Sequence, residues 1–108
     1  RCCKVTGVQT CALPIYAAPG VAVTGAVPGG GFKERTGSSA ATAIAAGGCA
    51  LIMKWISDQP GAGGASASQV RNVIVMGAQK LPAIEYPNTQ WGYGTMNLYH
   101  SLDILRRL

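Results

Sequence analysis

Gly37-Ser38-Ser39-Ala40-Ala41-Thr42-Ala43-Ile44-Ala45-Ala46-Gly47 is the stretch on which the fold turns. It runs on through Gly48-Cys49-Ala50-Leu51-Ile52-Met53 to Ile56. From Ser39 to Ile56 the small and apolar residues occupy every side of a helical repeat, so the pattern predicts a helix. Ser38 or Ser39 can cap its start. A helix that is apolar all round is expected to be buried on all sides, in the centre of a layered fold. Gly47 and Gly48 lower helix propensity, and in a core they let another backbone approach closely. The rest of the chain holds too few elements to surround such a rod, so a larger domain is expected. Ser39, at the helix start, has a further reading. Unpaired N–H groups and the helix dipole favour negative charge there, and Gly37 leaves room for an incoming group. On these residues alone, an ordinary serine cap and an activated hydroxyl both stay open.

Working outward toward the N-terminus, Val21, Val23 and Val27 sit at mostly alternate positions. They predict an extended segment over 21–27. Pro28-Gly29-Gly30-Gly31 reads as a turn, and 32–35 as a short strand returning from it. The glycines could also cradle an anion, but no strand-glycine-helix order and no Lys-Ser/Thr follows, so a turn is preferred. Toward the C-terminus, residues 57–65 read as a loop. Ser66-Ala67-Ser68-Gln69 is a capping-box pattern that opens a helix over 67–77. Val70, Val73, Ile74 and Gly77 share one side of it and Arg71 takes the other. Residues 78–92, with Pro82 and Pro87, read as loop, and 95–98 as a short strand or turn. A last amphipathic helix is expected over 97–107, with Leu98, Leu102 and Leu105 inward and Arg106 and Arg107 in the final turn.

The chain has 108 residues, with 9 Lys+Arg against 4 Asp+Glu, and 12% charged residues. The basic residues are scattered, which argues against nucleic acid as a partner. An apolar content of 48% argues against a disordered chain. No apolar run is expected to reach a membrane span, because Lys54 ends the longest one. Cys2, Cys3, Cys11 and Cys49 suggest a disulfide framework at first sight. Val5 to Ile15, however, reads as the in-frame translation of a common short-read sequencing adapter. We therefore take residues 1–15 as an adapter-derived artefact and exclude them from fold reasoning. Only Cys49 then remains, expected as an inert buried thiol, and cysteine says nothing about redox compartment. Without Arg1 and Lys4 the net charge is +3. On this reading residues 16–108 are the C-terminal portion of a longer domain.

The order of segments resembles the C-terminal part of the subtilisin-like serine proteases (the peptidase S8 family). That family carries Ala-Pro-Gly, a hairpin with a Pro-Gly turn, and Gly-Thr-Ser-Met-Ala-x-Pro-His-Val-Ala-Gly. Here stand Ala18-Pro19-Gly20, Val21 to Val27, Pro28-Gly29-Gly30, and then the stretch from Gly37 to Gly47. Gln69-Val70-Arg71 and Trp91-Gly92-Tyr93-Gly94-Thr95-Met96-Asn97 continue the likeness. Gly77-Ala78, Tyr86-Pro87-Asn88 and Trp91 to Gly94 look most like the subtilases of anaerobic spore-forming bacteria. The resemblance implies an α/β fold: the C-terminal part of a three-layer, mostly parallel sheet architecture, holding a β-hairpin, a buried central helix and two further helices. It implies a serine endopeptidase with Ser39 as the nucleophile and the Ser39 N–H as half of the oxyanion hole. The catalytic Asp and His, and the oxyanion Asn, would lie upstream, so the segment by itself is expected to be inactive. It implies a peptide or protein substrate, with the N-terminal part of the same domain as structural partner. No cofactor is expected, and no Cys/His/Asp cluster has metal-ligand spacing. Secretion or spore association would fit.

Three positions depart from the family pattern: Ser38 for Thr, Ala43 for Pro and Ile44 for His. They shape the helix start rather than proton transfer. They also leave room for an inactive relative that binds peptides or signals in germination. A second enzyme class, the α/β-hydrolases, would use Ser39, Asp58 and His100 in that order. It needs Gly two residues after the serine, where Ala41 stands, and a strand running into it. His100 is instead read as a surface or packing histidine, Asp58 as a loop residue and Asp103 as a helix-surface residue. Arg35 and Thr36 are read as lining the leaving-group side of the cleft. Trp55, Trp91 and Tyr93 are read as packing residues.

Overall fold

The computed structural model describes residues 15–108. The stretch read as adapter-derived lies outside the described residues up to position 14, and with it Cys2, Cys3 and Cys11. The order of elements is β1 (Val23–Ala26), β2 (Phe32–Arg35), α1 (Ser38–Ser57), α2 (Ala67–Gly77) and α3 (Leu98–Arg107). They fall into two compact units, one of Ala18–Ala65 and one of Ser66–Leu108 joined by residues 15–17.

In the first unit β1 and β2 form an antiparallel hairpin, with Val23 opposite Arg35 and Ala26 opposite Phe32. The connection is the expected glycine turn. Gly29, Gly30 and Gly31 all have φ near +90° (88°, 94° and 91°), a region that residues with a Cβ avoid. Val27 closes the turn, accepting from the Gly30 N–H and donating to the Gly31 carbonyl. After two more residues the chain enters α1, one residue earlier than a Ser38 cap and two earlier than a Ser39 cap would require. The N-cap is Gly37, which has no side chain to offer.

The expectation that α1 is buried on all sides needs correction for this chain. Only Gly48 and Ile52 are buried, while Leu51 is 56% and Met53 46% exposed. The physical reason is the shortage of neighbours already legible in the sequence: this unit contributes only a hairpin and loops. Cys49, expected buried, is half-buried. The membrane expectation also changes. α1 is 20 residues long and, by length and composition alone, apolar enough to cross a membrane despite Lys54.

The second unit has a core of its own. A capping box starts α2: the Ser66 hydroxyl accepts from the Gln69 N–H, and the Gln69 side chain accepts from the Ser66 N–H. Val70, Val73, Ile74 and Gly77 are buried, as the periodicity predicts, with Arg71 exposed. They meet α3, where Leu105 is buried and Leu98 and Leu102 are half-buried. Ser101, absent from the expected inward face, is fully buried. It sits where the helices cross so closely that a Cβ on Gly77 would lie 2.7 Å from the Ser101 Cα. The connecting loop is organised by Asn88. Its side-chain oxygen accepts from the Gln90 and Trp91 N–H groups and its amide donates to the Glu85 carbonyl. Thr95 then pairs with Gln79 in both directions at 2.8 and 2.9 Å, and Asn97 caps α3 by accepting from the His100 N–H. Gly94 is required here: at φ +125°, its added Cβ would lie 2.5 Å from the Gln79 carbonyl oxygen.

Candidate active site

Ser39 is the second residue of α1 and is exposed. The first intrahelical bond is donated by Ala41 to the Gly37 carbonyl at 3.3 Å. The N–H groups of Ser38, Ser39 and Ala40 therefore precede the ladder and have no acceptor within the helix. No side chain caps them. This corrects the expected cap: neither Ser38 nor Ser39 gives its hydroxyl to that task. The result is an exposed hydroxyl beside unpaired amides at the positive end of a 20-residue helix dipole.

Gly37 makes this geometry possible. Its φ of 154° and ψ of 169° lie in a region essentially reserved for glycine. A Cβ built on it would come 3.7 Å from the Ser39 Oγ, so the hydroxyl lies over Gly37. The Gly37 N–H is held at 2.8 Å by the Gly20 carbonyl, which brings the Ala18-Pro19-Gly20 segment against the helix start. Gly20 must itself be bare, since a Cβ there would lie 2.8 Å from the Gly37 carbonyl oxygen. The sequence offered no signal for this pairing, because the partners lie far apart in the chain and neither carries a side chain.

The other candidates are placed elsewhere. The Thr36 hydroxyl accepts from the Ala22 N–H at 2.9 Å. Arg35 is exposed at the end of β2. Asp58 is the C-cap of α1 and pairs with Lys54 at 2.7 Å. At 1.5 Å per residue it lies about 28 Å along the helix from Ser39. His100 lies against the end of α2, its Nδ1 3.2 Å from the Gly77 carbonyl. Asp103 takes hydrogen bonds from Arg106 at 2.8 Å and Arg107 at 3.0 Å. The Arg106 hydrogen bond, helped by the charges of both arginines, holds its carboxyl below 3.8. Asp58, at the far end of α1 from Ser39, is too distant to complete a Ser39-Asp58-His100 hydrolase triad. Among the described residues, no cluster of His, Cys, Asp and Glu could hold a metal ion.

A hairpin thus leads through a glycine in a glycine-only conformation into a bare helix start that presents an exposed serine hydroxyl. The sequence model of the subtilase family matches residues 8–94, so the chain belongs to that family. The matched span begins within the stretch read as adapter-derived. Solved structures agree with this assignment. The CspB protease of Clostridium perfringens superposes with a TM-score of 0.80 at 26% identity, over 88% of this chain and 21% of that one. The protease domain of PatA, as a serine-to-alanine mutant, gives 0.62 at 26% identity, over 83% of this chain and 30% of that one. The prenylagaramide maturation protease PagA gives 0.60 at 26% identity, over 80% and 31%. No curated protein sequence matches. The fold is thus subtilisin-like, and the likeness to a clostridial protease agrees with the spore-former branch read from the loop motifs. The chain spans about a fifth of the CspB structure and under a third of the others.

Proposed function

We propose that this segment carries the nucleophile of a serine endopeptidase, and that residues 16–108 are the C-terminal portion of a subtilase catalytic domain. The Ser39 Oγ attacks the scissile carbonyl, and its proton passes through a histidine to the leaving amine. Water then hydrolyses the acyl-enzyme by the same route in reverse. The N–H groups of the first turn of α1 stabilise the oxyanion, with an upstream Asn side chain as second donor. The catalytic Asp and His come from chain N-terminal to this segment, and the substrate is a peptide or protein. The single observation behind this reading is the exposed Ser39 at a helix start without a side-chain cap. α1 is read as a core helix of that domain rather than a membrane span, because the whole of it falls inside the matched residues 8–94.

The departures at Ser38, Ala43 and Ile44 support a second reading, an inactive relative that binds peptides or takes part in germination signalling. Labelling of the full-length protein with a fluorophosphonate probe separates the two. Labelling that disappears in Ser39→Ala is expected for the protease. A full-length protein that never labels supports the binding protein, and labelling that persists in Ser39→Ala removes Ser39 as nucleophile.

A further inference from the structure

Two hydrogen bonds lace residues 20–22 to the residues just before Ser39. The Gly37 N–H donates to the Gly20 carbonyl at 2.8 Å, and the Ala22 N–H donates to the Thr36 hydroxyl at 2.9 Å. They run in opposite directions across the same pair of segments. Ala22 sits at φ 51°, and no other residue with a Cβ has a positive φ among the described residues. A conformation so disfavoured persists only where its surroundings fix it, and here the Thr36 hydroxyl takes up its N–H. Gly37 is fixed from both sides, its N–H by Gly20 and its carbonyl by Ala41. The Ser39 Oγ lies close to Gly37, and Gly37 is the N-cap of α1, so its conformation sets how the chain that carries the hydroxyl enters the helix.

We infer that residues 20–22 and Thr36 form a backbone latch that positions the Ser39 hydroxyl, with Thr36 as its side-chain member. Thr36 is a positioning residue that acts through Ala22, Gly20 and Gly37, not a group that meets substrate. The inference rests on the proposed role of Ser39. Small displacements of a reacting atom are enough to lower the rate by one to two orders of magnitude.

The test uses the full-length protein. Thr36→Val replaces the hydroxyl by a methyl of similar size and leaves the Ala22 N–H without its acceptor. Its fluorophosphonate labelling is expected to slow roughly tenfold, with an unchanged unfolding midpoint, while Thr36→Ser restores the rate. Amide hydrogen exchange at Ala22 and Gly37 should quicken in Thr36→Val alone. Gly20→Ala should slow labelling further, and Gly25→Ala, whose added Cβ meets nothing within 4 Å, should not. Labelling of Thr36→Val at the parent rate, or of Thr36→Ser no faster than Thr36→Val, overturns the latch. If Thr36→Val does not fold, Gly20→Ala against Gly25→Ala decides in the same way. If the parent protein never labels, the nucleophile reading has failed, and exchange at Gly37 judges the latch by itself: unchanged exchange overturns it.

Discussion

Set side by side, the two units of this chain divide the work of a protein between them. Ser66–Leu108 buries Val70, Val73, Ile74, Ala78 and Leu105 in a core built from its own helices. Both of these helices start with a side-chain cap. Ala18–Ala65 does the opposite. It exposes most of its longest helix, offers no side-chain cap at that helix start, and holds its backbone there with hydrogen bonds between main-chain groups. The same omissions that weaken Ala18–Ala65 as a folding unit leave a hydroxyl and several amides unused at the head of α1. A side-chain cap there would satisfy one of those amides, adding about 1 kcal/mol of stability and removing that donor from any ligand.

If chemistry and stability are divided in this way, substitutions in the two regions should separate activity from folding. The largest effect is expected for Ser39→Ala in the full-length protein. Probe labelling should vanish and peptidase activity should fall on the order of 10⁶-fold, the scale of losing the nucleophile in a Ser-His-Asp hydrolase. The unfolding midpoint should not move, because an exposed hydroxyl outside any cap contributes little to folding. Next comes Gly77→Ala in the other region. Its new Cβ would lie 2.7 Å from the Ser101 Cα and N, which are backbone atoms that cannot swing away. Forcing the helices apart should cost about 1–3 kcal/mol in denaturant unfolding. Activity per folded molecule should stay unchanged. A Gly77→Ala protein of parental stability but altered labelling would erase the contrast.

What the sequence revealed follows the same division. The hairpin was legible because Pro28 to Gly31 can only turn, which fixes β2 at Phe32–Arg35. The start of α2 was legible because a capping box is a local pattern, and α3 because its leucines repeat at helical spacing. The role proposed for Ser39 rests on family resemblance, since a serine at a helix start is first of all a cap. The geometry that frees Ser39 from that role was not legible. It depends on Gly20 meeting Gly37 and on Thr36 meeting Ala22, contacts between distant residues of which only Thr36 uses a side chain. Ser101 escaped for a related reason. A serine on an otherwise apolar face gives no hint that Gly77 of another helix will press against it.

A smaller effect sharpens the contrast at the start of α2. Ser66→Ala removes one half of the capping box and should destabilise the protein by about 1 kcal/mol, read as a lower unfolding midpoint. An unchanged midpoint would mean that α2 does not draw stability from its cap, and that the difference from α1 is one of form alone.

The smallest expected effect is at Asp103, and its sign depends on pH. The Arg106 hydrogen bond and the two arginine charges hold this carboxyl below its ordinary value of 3.8. A carboxyl with a lowered folded-state pKa contributes stability that is fully present above its unfolded value and is lost as pH falls through the folded one. Asp103→Asn should therefore lower the unfolding midpoint slightly at neutral pH, and the gap to the parent protein should narrow as pH falls below the ordinary carboxyl value and close below the lowered folded-state one. Added salt should narrow it as well, because both arginines are largely exposed to solvent. A gap that stays constant from neutral to acid pH would assign the loss to packing along α3 instead of charge. In that case the C-terminal helix would owe its place to Leu105 and its neighbours, with nothing added by the ion pairs.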